Sequence, residues 1–237
     1  MTSIHTFPGL HCLRSNRFAF SAATSVVHKP GEMYNPLWIY GPSGTGKTAL
    51  LRSMAAQLSN HHLQIISVDA EQLVCDLICA IQTDTNVEFR AHYLQADVLI
   101  VDHLDSLRDK LITQQVLGNL FAESTRLSHQ VILSSTRPAQ ELCNLHDELL
   151  TRCEWFLCAD IQLPNFTDQM ALLSRLAQDL GLTLTTTMSA QIINFAKSPS
   201  QLRSCLSHLA ARSALLSEDQ AALSDALERL LTGGNPA

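Results

Sequence analysis

The sequence predicts an α/β protein: a parallel five-stranded sheet sandwiched by helices, followed by a small all-α domain. Three observations carry that expectation. The glycine-rich run Gly41-Pro42-Ser43-Gly44-Thr45-Gly46-Lys47-Thr48 stands between an apolar run at 37–40 and helix-period residues at 49–58. Further apolar runs of strand length alternate with helix-period segments as far as residue 161, the order that builds a parallel sheet covered on both faces. Beyond Pro164 only helical periodicity recurs. The expected division is an α/β domain over residues 1–163, a helical domain over 164–232 and a tail over 233–237.

Taken in order, residues 37–40 (Leu, Trp, Ile, Tyr) read as a buried strand and 49–58 as the helix after the glycine loop. Residues 64–68 read as a second strand. Two helices fill 70–94, the first with Leu73, Leu77, Ile78 and Ile81 at helical spacing. A third strand covers 96–102, four apolar residues leading into Asp102, and a helix near 111–127 precedes a fourth strand at 130–135. Residues 155–161 give the fifth. In the second domain, helices are expected at 167–180, 189–197, 201–216 and 219–231, with Gly181 ending the first and Pro199 separating the second from the third.

The run 41–48 fits G-x-x-x-x-G-K-[ST] at every fixed position and has the strand before it and the helix after it that a phosphate loop requires. Glycines let backbone N–H groups close around phosphate, and the helix that follows points its positive end at the same place. Lys47 is then expected to reach the β- and γ-phosphates, and the Thr48 hydroxyl to face Mg²⁺. A turn that is glycine-rich for packing alone is the plainer reading, and the flanking pattern weighs against it.

Composition narrows the function classes. The chain has 237 residues, 46% of them hydrophobic, and contains no run long and apolar enough for a membrane helix; the N-terminus lacks a basic segment followed by an apolar one. A soluble protein of the cytoplasm is expected. Sixteen basic residues against 22 acidic ones give a net charge of −6, so the chain lacks the electrostatic footprint of an autonomous duplex-DNA binder. Seven cysteines, at 12, 75, 79, 143, 153, 158 and 205, form no C-x-x-C pair and are read as reduced core thiols. Cys75 with Cys79, or Cys143 with His146, falls short of the four spaced ligands a zinc site needs. His61-His62 reads as a solvated turn.

Asp102 ends a hydrophobic strand downstream of the phosphate loop, the place from which a carboxylate can hold Mg²⁺ through its water shell. A strand-end turn acid is the alternative. His103 follows, where many ATPases of this layout carry a second acid that orients the attacking water. A histidine does that work only when neutral and well placed. Asp105 is two residues further on, as a substitute for that acid or as a turn or cap residue.

Here the chain resembles the ATPase module of the bacterial replication initiator DnaA, within the AAA+ superfamily. The resemblance covers about residues 6–232 and rests on Ser15-Asn16-Arg17-Phe18-Ala19, on 34–41, on Glu88-Phe89-Arg90, on 97–102, on Leu133-Ser134-Ser135-Thr136-Arg137-Pro138 and on Arg152-Cys153-Glu154-Trp155. It implies an AAA+ core with a helical lid, ATP or ADP with Mg²⁺ as cofactor, Asn16 and Arg17 beside the adenine, phosphate held by Gly41 to Thr48, and Asp102 as the Walker B magnesium residue. Arg152 matches the arginine finger, which acts on the ATP of a neighbouring subunit. An ordinary surface arginine is the other reading there, because Glu148 replaces the arginine just upstream in the family pattern.

Departures from the pattern bear on chemistry. His103 replaces the second acid, Thr136 replaces the acid that senses γ-phosphate, and the lid has no arginine at Ser200 where the sensor arginine belongs, with Arg203 about one turn later. Binding groups are kept and the hydrolytic apparatus is eroded, which leaves any ATPase activity weak or absent. The helices at 70–94 match the initiator-specific insertion that lines a channel for single-stranded DNA, and Lys110 matches a basic channel position, but Ile112 stands where a second basic residue is usual. Weak single-strand binding is the expectation, with a solvated surface the plainer role for Arg90, His92 and Lys110.

Neither the family's helicase-contacting domain nor its helix-turn-helix is present, so the layout is similar to that of Hda, a small stand-alone relative; Met1 and the short tail are read as a complete protein. The expected role is in replication initiation or its regulation, by ATP-dependent contact with like subunits or with the full-length initiator. A helicase-loading or transposition-helper ATPase and a non-hydrolysing scaffold are the rivals.

Overall fold

A computed structural model of the chain describes residues 7–108, 110–138, 141, 157–213 and 227. Two compact units emerge: residues 1–12, 16–43 and 47–162 form the first, and 13–15, 44–46 and 163–237 the second.

The first unit is an α/β sandwich. Helix α1 (Arg17–His28) precedes strand β1 (Leu37–Tyr40); then come α2 (Lys47–Ser59), β2 (Ile65–Asp69), α3 (Ala70–Gln82), α4 (Asn86–Leu94), β3 (Val98–Asp102), α5 (Leu111–Arg126), β4 (Gln130–Ser135) and β5 (Leu157–Asp160). All five strands are parallel, in the order β2-β3-β4-β1-β5. Strand alternation sorts the core onto two faces. Trp38, Leu99, Val101, Val131 and Leu133 pack with Leu73, Leu77, Phe89, Tyr93, Leu117 and Phe121 of α3, α4 and α5. Their neighbours Leu37, Ile39, Val98, Ile100 and Ile132 pack with Ala19, Phe20, Val26, Leu50 and Met54 of α1 and α2. Because both faces are covered, the middle strands read as continuous apolar runs.

In the second unit, α6 (Phe166–Asp179), α7 (Thr186–Phe195) and α8 (Pro199–Ser213) enclose a core of Leu172, Leu173, Leu176, Met188, Ile192, Leu202, Leu206 and Leu209, joined by Leu227. The Asn165 side chain caps α6 by accepting the Asp168 N–H at 2.8 Å, and Gly181, at φ +66°, follows its end as expected.

Some boundaries differ from the sequence pattern. α1 is absent from the expected elements, although Ala19, Ala22, Ala23, Val26 and Val27 give it a buried stripe at helical spacing. α7 starts three residues early, at Thr186, because the Thr185 hydroxyl accepts the Met188 N–H at 3.2 Å and so caps the extra turn. Pro199 opens α8 rather than standing between helices, as proline's fixed φ allows at a first helical position. The cysteine reading needs correction: Cys12, Cys75 and Cys79 are exposed, Cys158 is half-buried, and only Cys205 of the described ones is a core thiol. Cys75 and Cys79 lie on the outer side of α3, away from the packed stripe of Leu73, Leu77 and Ala80. The helix expected at 219–231, apart from Leu227, and the residues Cys143, His146 and Cys153 lie outside the described residues.

Candidate functional site at the strand ends

Parallel strands bring their carboxyl ends to one edge, and the chemistry-bearing residues collect there. β1 runs straight into the glycine loop. Gly41, at φ +152°, sits so close to the neighbouring chain that a Cβ would meet the Ile161 carbonyl oxygen at 2.0 Å. Its N–H donates to Ser135 O at 3.3 Å, tying the loop to β4. Gly46 adopts φ +103°, a conformation that L side chains rarely take, and a Cβ there would meet nothing within 4 Å. The loop's backbone is thus open at its helix end.

Lys47 is the first residue of α2 and is only 6% exposed. Its ammonium turns back into the loop, donating to Gly41 O at 2.6 Å and Pro42 O at 3.1 Å. Burial lowers its pKa, and the Asp102 and Asp105 carboxylates oppose that shift. A desolvated cation held by neutral carbonyls has strong affinity for an anion.

Asp102, the last residue of β3, is the hub of the edge. Thr48 Oγ1 donates to Asp102 Oδ2 at 2.6 Å, Ser134 Oγ donates to Asp102 Oδ1, and the His103 N–H donates to the same Oδ1 at 3.0 Å. The carboxylate is therefore fixed from α2, from β4 and from the turn that follows it. Ser135, the next residue of β4, points elsewhere: its Oγ accepts the Trp38 indole N–H at 2.7 Å and donates to Arg137 O.

His103 adopts a left-handed backbone, φ +57°, and its N–H also approaches Ser134 Oγ at 3.3 Å. Its ring donates Nδ1–H to Asp69 Oδ2 at 2.6 Å, while the nearer oxygen of Asp102 lies 3.9 Å away. The hydrogen bond it donates to Asp69 is the main reason that its pKa is raised; partial burial opposes the shift and Asp102 adds to it. Asp69 ends β2 directly beside Asp102 in the parallel register and caps α3, its Oδ1 accepting the Glu71 N–H at 3.0 Å. Asp105 binds neither His103 nor a helix terminus through its side chain. Its two oxygens accept Thr136 N–H at 2.8 Å and Thr136 O–H at 2.6 Å.

Lys47, Thr48, Asp102 and His103 thus gather at one edge. Of the loop, Pro42 and Ser43 are exposed and Thr45 is buried; Gly44 to Gly46 group with the second unit, where the Ser200 N–H donates to Gly44 O at 3.2 Å. Asn16 precedes α1 and donates from Nδ2 to His11 O at 3.0 Å, and Arg17 is the exposed first residue of that helix. Arg203 is exposed on α8, one turn past Ser200. Arg152 lies outside the described residues. Arg90 pairs with Glu123, Lys110 precedes α5 as an exposed residue, and Ile112 is exposed beside it.

Sequence reasoning assigned nothing to Asp69 or Ser134. Both stand at strand ends; the signals available were the acid that closes the apolar run before Asp69 and the Ser134-Ser135 pair. The donor set fits a magnesium nucleotide: a buried ammonium, a loop with an open backbone, and a hydroxyl and a carboxylate side by side suit phosphate oxygens and a hard, oxygen-seeking cation. Among the described residues no group of three or more His, Cys, Asp or Glu forms a metal cage.

Comparison with known proteins places the chain in a family. The family model described as the bacterial DnaA ATPase domain matches residues 2–160. The chain is similar to domain III of the replication initiation protein DnaA from Thermotoga maritima, with TM-score 0.86, 26% identity and 98% of each chain covered. AMPPCP-bound DnaA from Aquifex aeolicus gives TM-score 0.84 and 25% identity over 95% of this chain and 68% of that one. A replication initiator DnaA bound to AMPPCP and single-stranded DNA gives TM-score 0.84 at 23% identity, again over 95% and 68%. The sheet and its helices are the α/β AAA+ fold of DnaA domain III. With well over half of its length matched by that model, the chain belongs to the bacterial DnaA ATPase domain family.

Proposed function

We propose that this chain binds ATP or ADP with Mg²⁺ at the strand-end edge and acts in the initiation of DNA replication, or in its regulation, through nucleotide-dependent assembly with like subunits or a full-length initiator. The observation that carries the reading is the bonded set Lys47, Thr48, Asp102 and Ser134, which links the glycine loop to β3 and β4. Lys47 takes the β- and γ-phosphates. Thr48 and Asp102 hold Mg²⁺, which when bound neutralises phosphate charge. Gly41, Pro42, Ser43, Gly44, Thr45 and Gly46 line the phosphates, and Asn16 and Arg17 stand beside the adenine. Support also comes from two similar DnaA structures, both with the ATP analogue AMPPCP bound.

Arg152 is assigned the role of acting in trans on a neighbouring subunit's nucleotide. The α/β domain of 1–163 holds the nucleotide and the helical domain of 164–232 serves as its lid. Single-stranded DNA, present with one similar initiator, is a weak ligand here, because Ile112 and the net charge of −6 leave Lys110 little cationic company. With His103 paired to Asp69, ATP serves chiefly as an assembly signal.

Sedimentation velocity with ATP, with ADP and with the Lys47→Ala variant tests the proposal. Association that needs both ATP and Lys47, and that weakens in Arg152→Ala, supports it. A profile identical under all these conditions overturns the assembly role.

A further inference from the structure

One face of the first unit takes no part in the proposed nucleotide site. Between α3 and the first turn of α5 runs an open groove of about 800 Å³, large enough for a row of side chains, with Val74, Cys75, Ile78, Leu111 and Ile112 as its apolar lining. On α3 the lining positions 71, 74, 75 and 78 follow helical spacing and form one stripe. The core uses a different one, since Leu73, Leu77 and Ala80 pack α3 inward. The groove side is exposed: Ile78 and Leu111 face solvent, and Ile112 does so over 75% of its surface. Ile81, also exposed, extends the stripe by a turn. Single apolar side chains are ordinary on a folded surface, whereas a contiguous apolar groove is unfavourable in water and marks a contact site.

Charge selects the partner. The charged residues of the groove are Glu71 on α3 and Lys110 just before α5, one of each sign. A nucleic-acid strand needs a row of cations, and here the single lysine is offset by an acid on a chain of net charge −6. A partner of uniform charge, of either sign, is attracted by one of the two residues and repelled by the other. A second copy of the chain, related by a two-fold axis, is attracted by both, because Glu71 of each copy meets Lys110 of the other. Shape has the same property. Ile112 projects from the wall of a groove that aliphatic side chains line, so knob and hole belong to one patch. A patch carrying both closes a pair, where separate knob and hole would extend into a fibre.

We propose that this groove is a homodimer contact, in which two copies pack through α3 and the start of α5, Ile112 of each copy seated in the other's groove and Glu71 opposite Lys110. The contact calls on no nucleotide and is therefore distinct from the ATP-dependent assembly proposed above.

The test is sedimentation velocity of the full chain without nucleotide, over a range of concentrations, alongside alkylation of its exposed cysteines by N-ethylmaleimide. The intact protein should pass from monomer to dimer as concentration rises. Cys75, in the groove, should then react about fivefold or more slowly, while Cys12, exposed outside it, should keep its rate. Ile112→Glu, at a position the core does not use, sets a carboxylate against an apolar groove and should weaken dimerisation about tenfold or more. Glu71→Lys and Lys110→Glu should each weaken it, and the two reversals together should restore it to within about threefold of the intact protein. A chain that stays monomeric, a dimer indifferent to Ile112→Glu, or a double reversal no stronger than the single ones overturns the inference. So does protection of Cys75 in a monomer by an oligothymidylate, which would give the groove to single-stranded DNA. Association seen only with ATP would overturn this contact and leave the nucleotide-dependent assembly standing.

Discussion

The two halves of the strand-end edge are held by different means. On the lysine half, Lys47 is buried and the Asp102 side chain is 13% exposed, and their hydrogen bonds tie a loop, a helix and two strands together. On the histidine half, the side chains of His103 and Asp69 are 51% and 43% exposed. On the proposed reading, the groups that would bind nucleotide are built into the sheet, whereas those that would act on a bound γ-phosphate rest on a left-handed turn and on neighbours. Substitution should injure the first half and adjust the second.

The largest effect expected is at the hub. Asp102→Ala removes the acceptor shared by Thr48, Ser134 and the His103 N–H, and should weaken Mg²⁺-dependent ATP binding about 100-fold, or about 2.7 kcal/mol, in calorimetric titration. A loss no larger than that of Asp69→Asn would erase the contrast between the halves. Next comes Gly41→Ala, whose Cβ would lie 2.0 Å from the Ile161 carbonyl oxygen and should cost about 2 kcal/mol or more of unfolding free energy in urea. An unchanged urea midpoint would mean that this approach of loop and strand is loose.

On the histidine half, His103→Asp should raise the single-turnover rate of ATP hydrolysis about tenfold over a Lys47→Ala background, if the missing acid is what limits the step. A flat rate would shift the limit to Thr136 or to Ser200, where the family pattern has an arginine. The smallest effect belongs to Asp69→Asn. Asparagine caps a helix as well as aspartate does, so α3 should persist and only the charge facing His103 is lost. The folded pKa of His103 lies above 6.5, so this pair's stabilisation is fully present below pH 6.5 and disappears as pH rises through the folded value. With both groups near half exposed, about half a kcal/mol is expected. Melting temperatures of the two proteins should differ at low pH and converge as pH rises; a gap independent of pH would contradict the pairing.

What the sequence made legible follows from how each part is built. The glycine run dictated a local shape, and its flanking strand and helix had to be adjacent in sequence, so the loop, β1, α2 and the Lys47–Thr48 pair could be read directly. Asp102 was readable because a buried strand that ends in an acid is conspicuous. The Asp69–His103 and Asp105–Thr136 pairs span 34 and 31 residues and exist only through strand register and the left-handed turn at His103, neither of which local periodicity encodes. α1 was missed for another reason: its buried stripe is largely alanine and valine, too small to stand out beside the strands. The exposed Cys75 and Cys79 show the same limit, since an apolar helix of this composition did not reveal which of its sides the sheet would cover.

The most direct measurement is calorimetric titration of ATP with Mg²⁺ into the intact protein and into Lys47→Ala. Because Lys47 is desolvated and turned into the loop, tight binding to the intact protein and a loss of about 100-fold or more in the variant are expected. Equal affinity in the two proteins would contradict the assignment of this edge as the nucleotide site.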